Sequence, residues 1–420
     1  MLFLRVVLSV IAMLSALSLI RPVLSEYYAK HYASGGSPSA EDALLRAYRI
    51  TPEDARYPYL LGLFYHQSQN PKDMEKAINA YRLSLQRNPT DSQTWLALAK
   101  AYRDYGATEN AAFALRKSVA LDKNDPDLLW EAGVFSLREE KVSYAAQLFR
   151  RYIYIVPEEQ ENVYSLFHSM KVDSEYIVDN LVPRDGISVR RYLNFLVANK
   201  LLHESAAVWE RMKPYGLDRK DYIGYCNFLI EEGEIRDALE IWSEFVKKFK
   251  LSTVEEQPDS LIWNGDFELP IENGGFDWRL GQADGVSIFR DHDIKKTGEA
   301  SLSTHFDGKH NPDLSIIYQI VPVEPGKNYK LTGFIKTEKI TTTNGIFFEV
   351  TGYRCEPFVK RSEPVTGTNL WRRMEIEFIT PKDCKTVVVG VRREKSVKFD
   401  NKIAGDAWID SLSLDRLKNN

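Results

Sequence analysis

This chain of 420 residues has few cysteines and no large excess of acidic or basic residues. Only three cysteines occur, which excludes a disulfide-rich scaffold, and no His or Cys side chains have the spacing of zinc ligands. The 55 basic and 59 acidic residues are interspersed and give a net charge of −4. Nucleic-acid-binding proteins normally carry a basic face, so no nucleic-acid partner is expected.

Recognisable catalytic constellations are also missing. No glycine-rich phosphate loop follows a strand pattern, and no nucleophile, base and orienting residue stand together. The sequence therefore predicts no catalytic residues and a protein that is not an enzyme. A glycoside hydrolase is the enzymatic alternative, because it needs only two carboxylates about 5–10 Å apart, a spacing that a sequence does not reveal.

The first 25 residues predict export. Residues 6–20 carry no charge and are flanked by arginines, and this length suits the core of a signal peptide cleaved before Glu26. Counted from Leu2, the apolar stretch is long enough for an uncleaved membrane anchor, which is the preferred alternative. We expect residues 26–38 to form a linker, and the rest of the chain to face the periplasm or the cell exterior.

Residues 77–157 repeat at an interval of 34 residues. Small residues form one column (Ala77, Ala111, Ala145) and larger apolar residues another (Tyr81, Leu115, Phe149). This period and these residue classes resemble the tetratricopeptide repeat, in which two helices cross at small residues. Each such repeat buries its apolar face only against a neighbour, so the resemblance implies a superhelix of helical hairpins.

A more degenerate repeat follows. Tyr192 and Tyr225 lie 33 residues apart, as do Trp209 and Trp242. We interpret these positions as two further repeats of the same kind, although small residues are displaced or replaced in them. The helical repeat domain is therefore predicted to span residues 39–250.

The resemblance also implies a concave groove lined by the first helix of each repeat. Carried over by position, its lining comprises eight residues: Tyr59, Leu63, His66, Leu96, Lys100, Arg103, Trp130 and Val134. Aromatic side chains and two cations in one groove suit an extended peptide or an acidic segment of a protein partner. The alternative is that Trp130 packs against the next helix.

The sequence period changes near residue 250. We expect a linker at residues 251–260, and beyond it short apolar runs alternate with period two between turn residues. The clearest strands are residues 314–323, 328–336, 345–353, 371–379, 386–392 and 408–414. Short strands without a helical pattern predict a β-sandwich over residues 261–417.

Four short sequence motifs follow one another in this region: WNGDFE (263–268), GEASL (298–302), VEPGKNY (323–329) and AWIDSLSL (407–414). In that order they resemble the galactose-binding-type jelly roll of carbohydrate-binding modules. The predicted fold class is thus multidomain, with an all-α, tetratricopeptide-like superhelix followed by an all-β jelly-roll sandwich.

The strand at residues 345–353 is the candidate sugar-binding face. Alternation places Phe347, Glu349, Thr351 and Tyr353 on one side, and Arg392 is predicted to share it. Aromatic rings can stack on the C–H face of a sugar, and polar groups can bond its hydroxyls. An ordinary solvated sheet face is the alternative.

A structural calcium ion is predicted from the closing strand. Asp410 has the same parity as Leu412 and Leu414, so regular pairing would direct its carboxylate towards apolar neighbours, which is costly without a cation or several donors. In the modules that this region resembles, an acidic residue of the opening motif and the aspartate of the closing strand hold calcium. The resemblance implies Glu268 and Asp410 as ligands, and Asp266 as a third. The alternative is a bulge at which Asp410 reaches solvent or backbone amides.

Export also implies an oxidising compartment, in which Cys355 and Cys384 could form a disulfide within the sandwich. Taken together, the sequence predicts an exported adaptor of a bacterial cell envelope. Its helical array would bind a protein partner and its jelly roll a polysaccharide, in the assembly or export of surface or extracellular polysaccharide. The main alternative is a protein-interaction scaffold whose sandwich binds no sugar.

Overall fold

The computed structural model describes residues 20–417, apart from residues 29, 31–37, 69, 71, 252–259 and 400. The predicted signal or anchor lies largely outside the described residues, as do much of the first linker and most of the second. Residues 20–28 are helical. Within the part of the chain that is described, no helix is both long enough and apolar enough to span a membrane.

The chain divides into two compact units, Met1–Phe195 and Leu196–Asn420. A helical region over residues 20–249 is followed by an antiparallel β-sandwich of two sheets. This architecture confirms the predicted order of an all-α region followed by an all-β sandwich.

The first unit is built from short helices joined by tight turns. In chain order they are α1 (Pro38–Ile50), α2 (Arg56–His66), α3 (Asp73–Arg87), α4 (Ser92–Asp104), α5 (Thr108–Leu121), α6 (Pro126–Arg138), α7 (Val142–Ile155), α8 (Gln160–Ser169), α9 (Ser174–Asn180) and α10 (Gly186–Ala198). A 3₁₀ turn, Pro157–Glu159, precedes α8. Aspartates cap α4, α6 and α9, because their carboxylates accept hydrogen bonds from otherwise unpaired N–H groups of the first turn.

The columns of small and aromatic residues lie where these helices cross. A Cβ atom at Gly62 in α2 would come within 2.5 Å of the Tyr81 ring in α3. Tyr81 itself is buried, as are Ala77 and Leu85 of the same helix. The glycine therefore makes room for the aromatic side chain, and the apolar stripe of α3 supplies the burial that stabilises the hairpin.

The second unit begins with a helical hairpin. After α11 (Leu202–Met212), α12 (Arg219–Glu232) and α13 (Ile235–Phe249) pack against each other. Gly233 ends α12 in the left-handed conformation, with φ of 91°, which a residue without Cβ adopts at little cost. This turn brings the apolar faces of α12 and α13 together.

Two five-stranded antiparallel sheets form the sandwich. The strands are β1 (Arg279–Leu280), β2 (Val286–Asp291), β3 (Ser301–Asp307), β4 (Leu314–Pro322), β5 (Asn328–Ile340), β6 (Phe347–Gly352), β7 (Val359–Arg361), β8 (Gly367–Ile379), β9 (Thr386–Arg393) and β10 (Ala404–Arg416). Sheet A has the order β1-β4-β9-β6-β7, and sheet B has the order β2-β3-β10-β5-β8. Alternate residues of both sheets, such as Val389 and Ile409, are buried between them.

A bulge interrupts the closing strand. The register of β10 against β5 shifts between Asp410 and Ser413, and Ser411 has a positive φ of 56°. The extra residue shifts the alternation of the strand by one. Leu412 and Leu414 therefore belong to the apolar core between the sheets, whereas Asp410 does not. The regular pairing assumed for Asp410 is therefore wrong, and the alternative of a bulge is what the structure contains.

The hairpin of α12 and α13 packs directly on the loop before β1. The Asn227 side-chain oxygen accepts hydrogen bonds from the Gly275 N–H and from the Arg279 guanidinium, both at 2.8 Å. Trp242 packs so closely on Gly275 that a Cβ there would lie 2.4 Å from the indole. The Trp242 ring also contacts Trp263 and Phe276 edge-on. The last helices and the sandwich therefore share one packed interior.

We predict that Asn227→Ala destabilises the chain by about 1–3 kcal/mol, because the Arg279 guanidinium and the Gly275 N–H lose their common acceptor in a partly buried setting. Urea unfolding of the full chain measures the loss. Asn162→Ala is the matched control, since this amide donates to Glu159 at the surface and its removal should change stability by less than about 0.5 kcal/mol. Equal losses for the two variants would contradict a structural role for Asn227.

The carboxyl group of Asp277 is fully buried in the same loop. One of its oxygens accepts a hydrogen bond from the Glu272 N–H at 2.6 Å, whereas the other has no partner among the described residues. Burial raises the pKa of Asp277 to about 7, although the backbone N–H groups of Glu272 and Trp278 act in the opposite direction. A carboxyl group in this environment binds its proton more tightly than in the unfolded chain.

This difference predicts a pH-dependent stability with a definite sign. The stabilising effect of the protonated carboxyl is complete below the unfolded pKa of 3.8 and is lost as the pH rises through about 7. Between pH 5 and pH 8 we expect the Asp277 contribution to fall by roughly 2–4 kcal/mol. Asp277→Asn keeps the shape and an acceptor but has no proton to lose. Urea unfolding measures the free energy of unfolding of both proteins at both pH values. The variant should be more stable than the wild type at pH 8, and this advantage should shrink or disappear at pH 5. An unchanged difference between the two proteins at pH 5 and pH 8 would refute the assignment.

Candidate functional site

The outer face of sheet A brings the predicted sugar-binding residues together. In β6, Phe348 and Val350 point into the core, while Phe347, Glu349 and Thr351 belong to the opposite face. The register places Phe347 opposite Arg392 and Glu349 opposite Gly390 of β9. Tyr353, two residues beyond Thr351, continues the same alternation and is half-buried. The five predicted residues are thus on one face.

Further residues of this face were not predicted. Tyr318 of β4 lies opposite Gly390, and Arg279 of β1 lies opposite Tyr318. On the other side, Arg361 of β7 lies opposite Glu349. Alternation within residues 314–323 could have selected Tyr318, but Arg279 and Arg361 lie in strands of two and three residues, which are too short to show a period.

Ion pairs connect the polar side chains of the face. The Arg361 guanidinium donates to Glu349 at 2.7 Å and contacts Glu394 at 2.7 Å. Arg392 donates to Asp313 at 2.6 Å, and its Nε lies 3.9 Å from Glu349. Cations and carboxylates therefore alternate across β7, β6 and β9 to Asp313, the residue directly before β4, and the face offers both hydrogen-bond donors and acceptors.

Phe347 does not provide the exposed ring expected of it. Its side chain is only 7% exposed, and the Arg361 guanidinium lies over the ring at 5.2 Å from the centroid. The proximity of Arg361 follows from the pairing of β7 with β6. The half-buried aromatic residues of the face are instead Tyr353 and Tyr318, the second of which has the Arg279 guanidinium beside its ring.

Helix α12 bounds this face at the β1 edge. Its Asn227 accepts the hydrogen bond from Arg279, whose guanidinium also lies 5.9 Å from the centre of the Tyr318 ring. Burial lowers the pKa of Arg279. The face is therefore closed by a helix beside β1 and ends in the short, exposed strand β7 on the other side.

The acidic residues predicted as calcium ligands converge on one loop. Asp410 accepts hydrogen bonds from the N–H groups of Lys296 (2.7 Å) and Thr297 (3.1 Å). Glu268 accepts from Glu299 (2.8 Å) and Ala300 (3.2 Å) in the same loop. Two carboxylates thus anchor residues 296–300, one from each end of the sandwich sequence.

Asp266 does not join this pair. Its carboxylate accepts a hydrogen bond from the Glu268 N–H within its own turn. Over the described residues, no group of three or more acidic, His or Cys side chains is placed to hold a metal ion. Burial raises the pKa of Asp410, whereas the amides of Lys296 and Thr297 favour the charged form. Glu268 and Asp410 have the carboxylate oxygens that suit calcium, but backbone N–H groups already donate hydrogen bonds to some of these oxygens.

Calcium binding therefore stays a prediction with a specific test. A bound ion should raise the melting temperature of the full chain relative to the same chain in a chelator, by an amount equivalent to about 2.7 kcal/mol at a hundredfold excess over the dissociation constant. Asp410→Ala should abolish this difference. The variant should also melt lower than the wild type in the chelator, because two amides lose their acceptor. Identical wild-type curves in calcium and in chelator would contradict calcium but leave the loop-anchoring role intact.

The predicted groove residues of the helical unit are mostly half-buried, namely Tyr59, Leu63, His66, Lys100, Arg103, Trp130 and Val134. Leu96 is buried and cannot line an open groove, so that assignment is wrong. Trp130 packs on Phe149 and Tyr152 of α7, as in the alternative considered for it.

Both cations of this set already have partners. Lys100 pairs with Glu131 at 2.6 Å, and Arg103 pairs with the neighbouring Asp104. His66 contacts the same Asp104 at 3.0 Å. These contacts balance the charges that were expected to attract an acidic segment.

The structure joins Cys355 and Cys384 in a disulfide, which ties the segment after β6 to the segment before β9. Cys226 is a free and buried thiol in α12. Burial raises the pKa of this thiol to about 12, so it is an inert packing residue rather than a nucleophile.

No family model and no curated protein matches this chain. Among solved structures, it is similar to the enzymatically active domain of tailspike protein 4 from bacteriophage CBA120 (13% identity, TM-score 0.30), over 39% of this chain and 22% of the other. The carbohydrate-binding module TmCBM61 in complex with β-1,4-galactotriose matches 38% of this chain over 99% of its own length (20% identity, TM-score 0.27). MamA matches 33% of this chain over 78% of its own (15% identity, TM-score 0.28).

The chain thus spans about a fifth of the length of the tailspike structure. With TM-scores of 0.30 or less, none of these three similarities assigns a family or a ligand.

Proposed function

We propose that the outer face of sheet A binds a polysaccharide, and that the chain is an exported adaptor of the cell envelope whose helical hairpins bind a protein partner. The observation that carries the proposal is the alternation of guanidinium and carboxylate groups beside two half-buried tyrosines on one sheet face. Sugar recognition combines ring stacking with hydrogen bonds to hydroxyl groups, and both are available there.

Each polar group of the face has a defined part in this proposal. Glu349 accepts hydrogen bonds from sugar hydroxyls, while Arg361 and Arg392 donate to hydroxyl or ring oxygens. The existing ion pairs hold these side chains in place, so less conformational entropy is lost when a ligand binds. Tyr318 and Tyr353 supply the aromatic surface that Phe347 does not.

The position of α12 limits how a glycan can lie on this face. Arg279 and Asn227 occupy the β1 edge, and the β7 edge consists of three exposed residues. We infer that the sugar chain reaches Glu349 and Arg392 from the side of β7. The proposed site would therefore hold a short stretch or an end of the chain in preference to a long internal stretch.

Affinity electrophoresis of the full chain in gels with soluble polysaccharides tests the proposal. The panel includes β-1,4-galactan, xylan and polysaccharide extracted from cell envelopes. We expect retardation by at least one of them, and a dissociation constant about 10–100-fold weaker for Arg392→Ala, since a hydrogen bond to a charged group contributes about 1.5–3 kcal/mol. Arg372→Ala, an exposed arginine of β8 in sheet B, is the matched control and should bind like the wild type.

Equal retardation of Arg392→Ala and the wild type would place the sugar elsewhere. Failure of every polysaccharide to bind would favour the scaffold alternative. Release of reducing sugar in the same incubations would contradict the prediction that the chain is not an enzyme.

A further inference from the structure

The loop between β9 and β10 exposes two apolar side chains completely. Val397 is 95% exposed and Phe399 is 106% exposed, the highest values for large hydrophobic residues in the described part of the chain. Isolated apolar side chains on a surface are common, but two on one projecting loop are a recurrent feature of interaction sites. We call the described residues of this loop, 395–399 with Asn401 and Lys402, the apolar loop.

The base of the apolar loop is held by buried polar groups. The guanidinium of Arg393, a residue with no exposed surface, donates to the Asn401 carbonyl at 3.0 Å and to the side chain of Asn311 at 2.6 Å. Asn311 in turn bonds the backbone of Ser396 twice, at 2.9 and 2.8 Å. The tip residues therefore project from a fixed frame and are not drawn into the core.

Lysines surround the exposed side chains. Lys395, Lys398 and Lys402 are exposed, and in the sequence the single acidic residue between Glu394 and Ile403 is Asp400. The Lys398 ammonium donates to the Thr343 hydroxyl at 3.1 Å, at the side of the tip. Exposed apolar side chains with lysines next to them are complementary to the surface of an anionic bilayer, in which phosphates lie outside the acyl chains.

We propose that the apolar loop inserts Val397 and Phe399 into the interface of an anionic lipid bilayer, while its lysines contact lipid phosphates. Insertion removes both side chains from water and leaves the lysine ammonium groups at the level of the headgroups. The chemistry favours a lipid over a sugar, because valine cannot stack on a sugar ring and a neutral glycan has no use for three lysines. The proposal stands independently of the polysaccharide site, since none of the residues of that face lies in the apolar loop.

A fluorescent probe on the loop tests this proposal in the full chain. Phe399→Cys is labelled with an environment-sensitive dye, and the free thiol of Cys226 is buried and away from the reagent. Addition of vesicles that contain phosphatidylglycerol should shift the emission to the blue, and lipids with a quencher in their acyl chains should quench it. Leu370→Cys is the matched control, an 84% exposed residue of β8, and its dye should not respond. A local probe reports on the apolar loop even if residues 1–25 attach the chain to the same vesicles.

The charge requirement is tested with the same label. Vesicles of phosphatidylcholine alone should give little shift, and Lys395→Gln with Lys398→Gln and Lys402→Gln should require at least tenfold more anionic lipid for half the effect, since each lysine is expected to contribute about fivefold. Equal responses at positions 399 and 370, or no response at 399, would overturn the proposal. A response at 399 to soluble anionic polysaccharide but not to vesicles would assign the apolar loop to sugar and likewise overturn it.

Discussion

The packing of the second unit centres on one partly buried polar contact, the acceptance by Asn227 of hydrogen bonds from both Gly275 and Arg279. Removing a guanidinium from water is costly unless its donors find acceptors, and Arg279 at the β1 edge finds them in Asn227 of α12 and in the Gly275 and Asp277 carbonyls. The same residue closes one side of the sheet face. The helical hairpin of α12 and α13, which the sequence assigns to a repeat array, consequently also packs on the sandwich. The change of sequence period near residue 250 therefore does not coincide with a boundary between separately packed units.

Periodicity explains why most of the fold was predictable. Columns of small and aromatic residues require close helix crossings, and Gly62 beneath Tyr81 is one such crossing. All six predicted strands begin within four residues of an observed strand, because alternate burial imposes a period of two wherever a sheet covers a core. The prediction for residues 371–379 misses the first four residues of β8, none of which is buried, so they carry no apolar alternation.

The departures have local physical causes. A bulge is one extra residue, and nothing in the alternation of residues 407–414 distinguishes it from regular pairing, so the side to which Asp410 points could not be read from its neighbours. The exposure of Phe347 depends on a residue fourteen positions away, Arg361, which crosses over its ring only after β7 pairs with β6. Pattern analysis identifies which residues share a face, but not which of them is covered by a long side chain from the next strand.

Arg361 also links the sheet face to the apolar loop. Its guanidinium contacts Glu349 within the face and Glu394, the residue directly before the apolar loop. The pKa of Arg361 lies above its usual value because the hydrogen bond to Glu349 and the charges of both glutamates outweigh the effect of burial. The cation is therefore permanently charged and shared between two carboxylates. A single side chain, Arg361, therefore contacts Glu349 on the sheet face and Glu394 at the strand end from which the apolar loop projects.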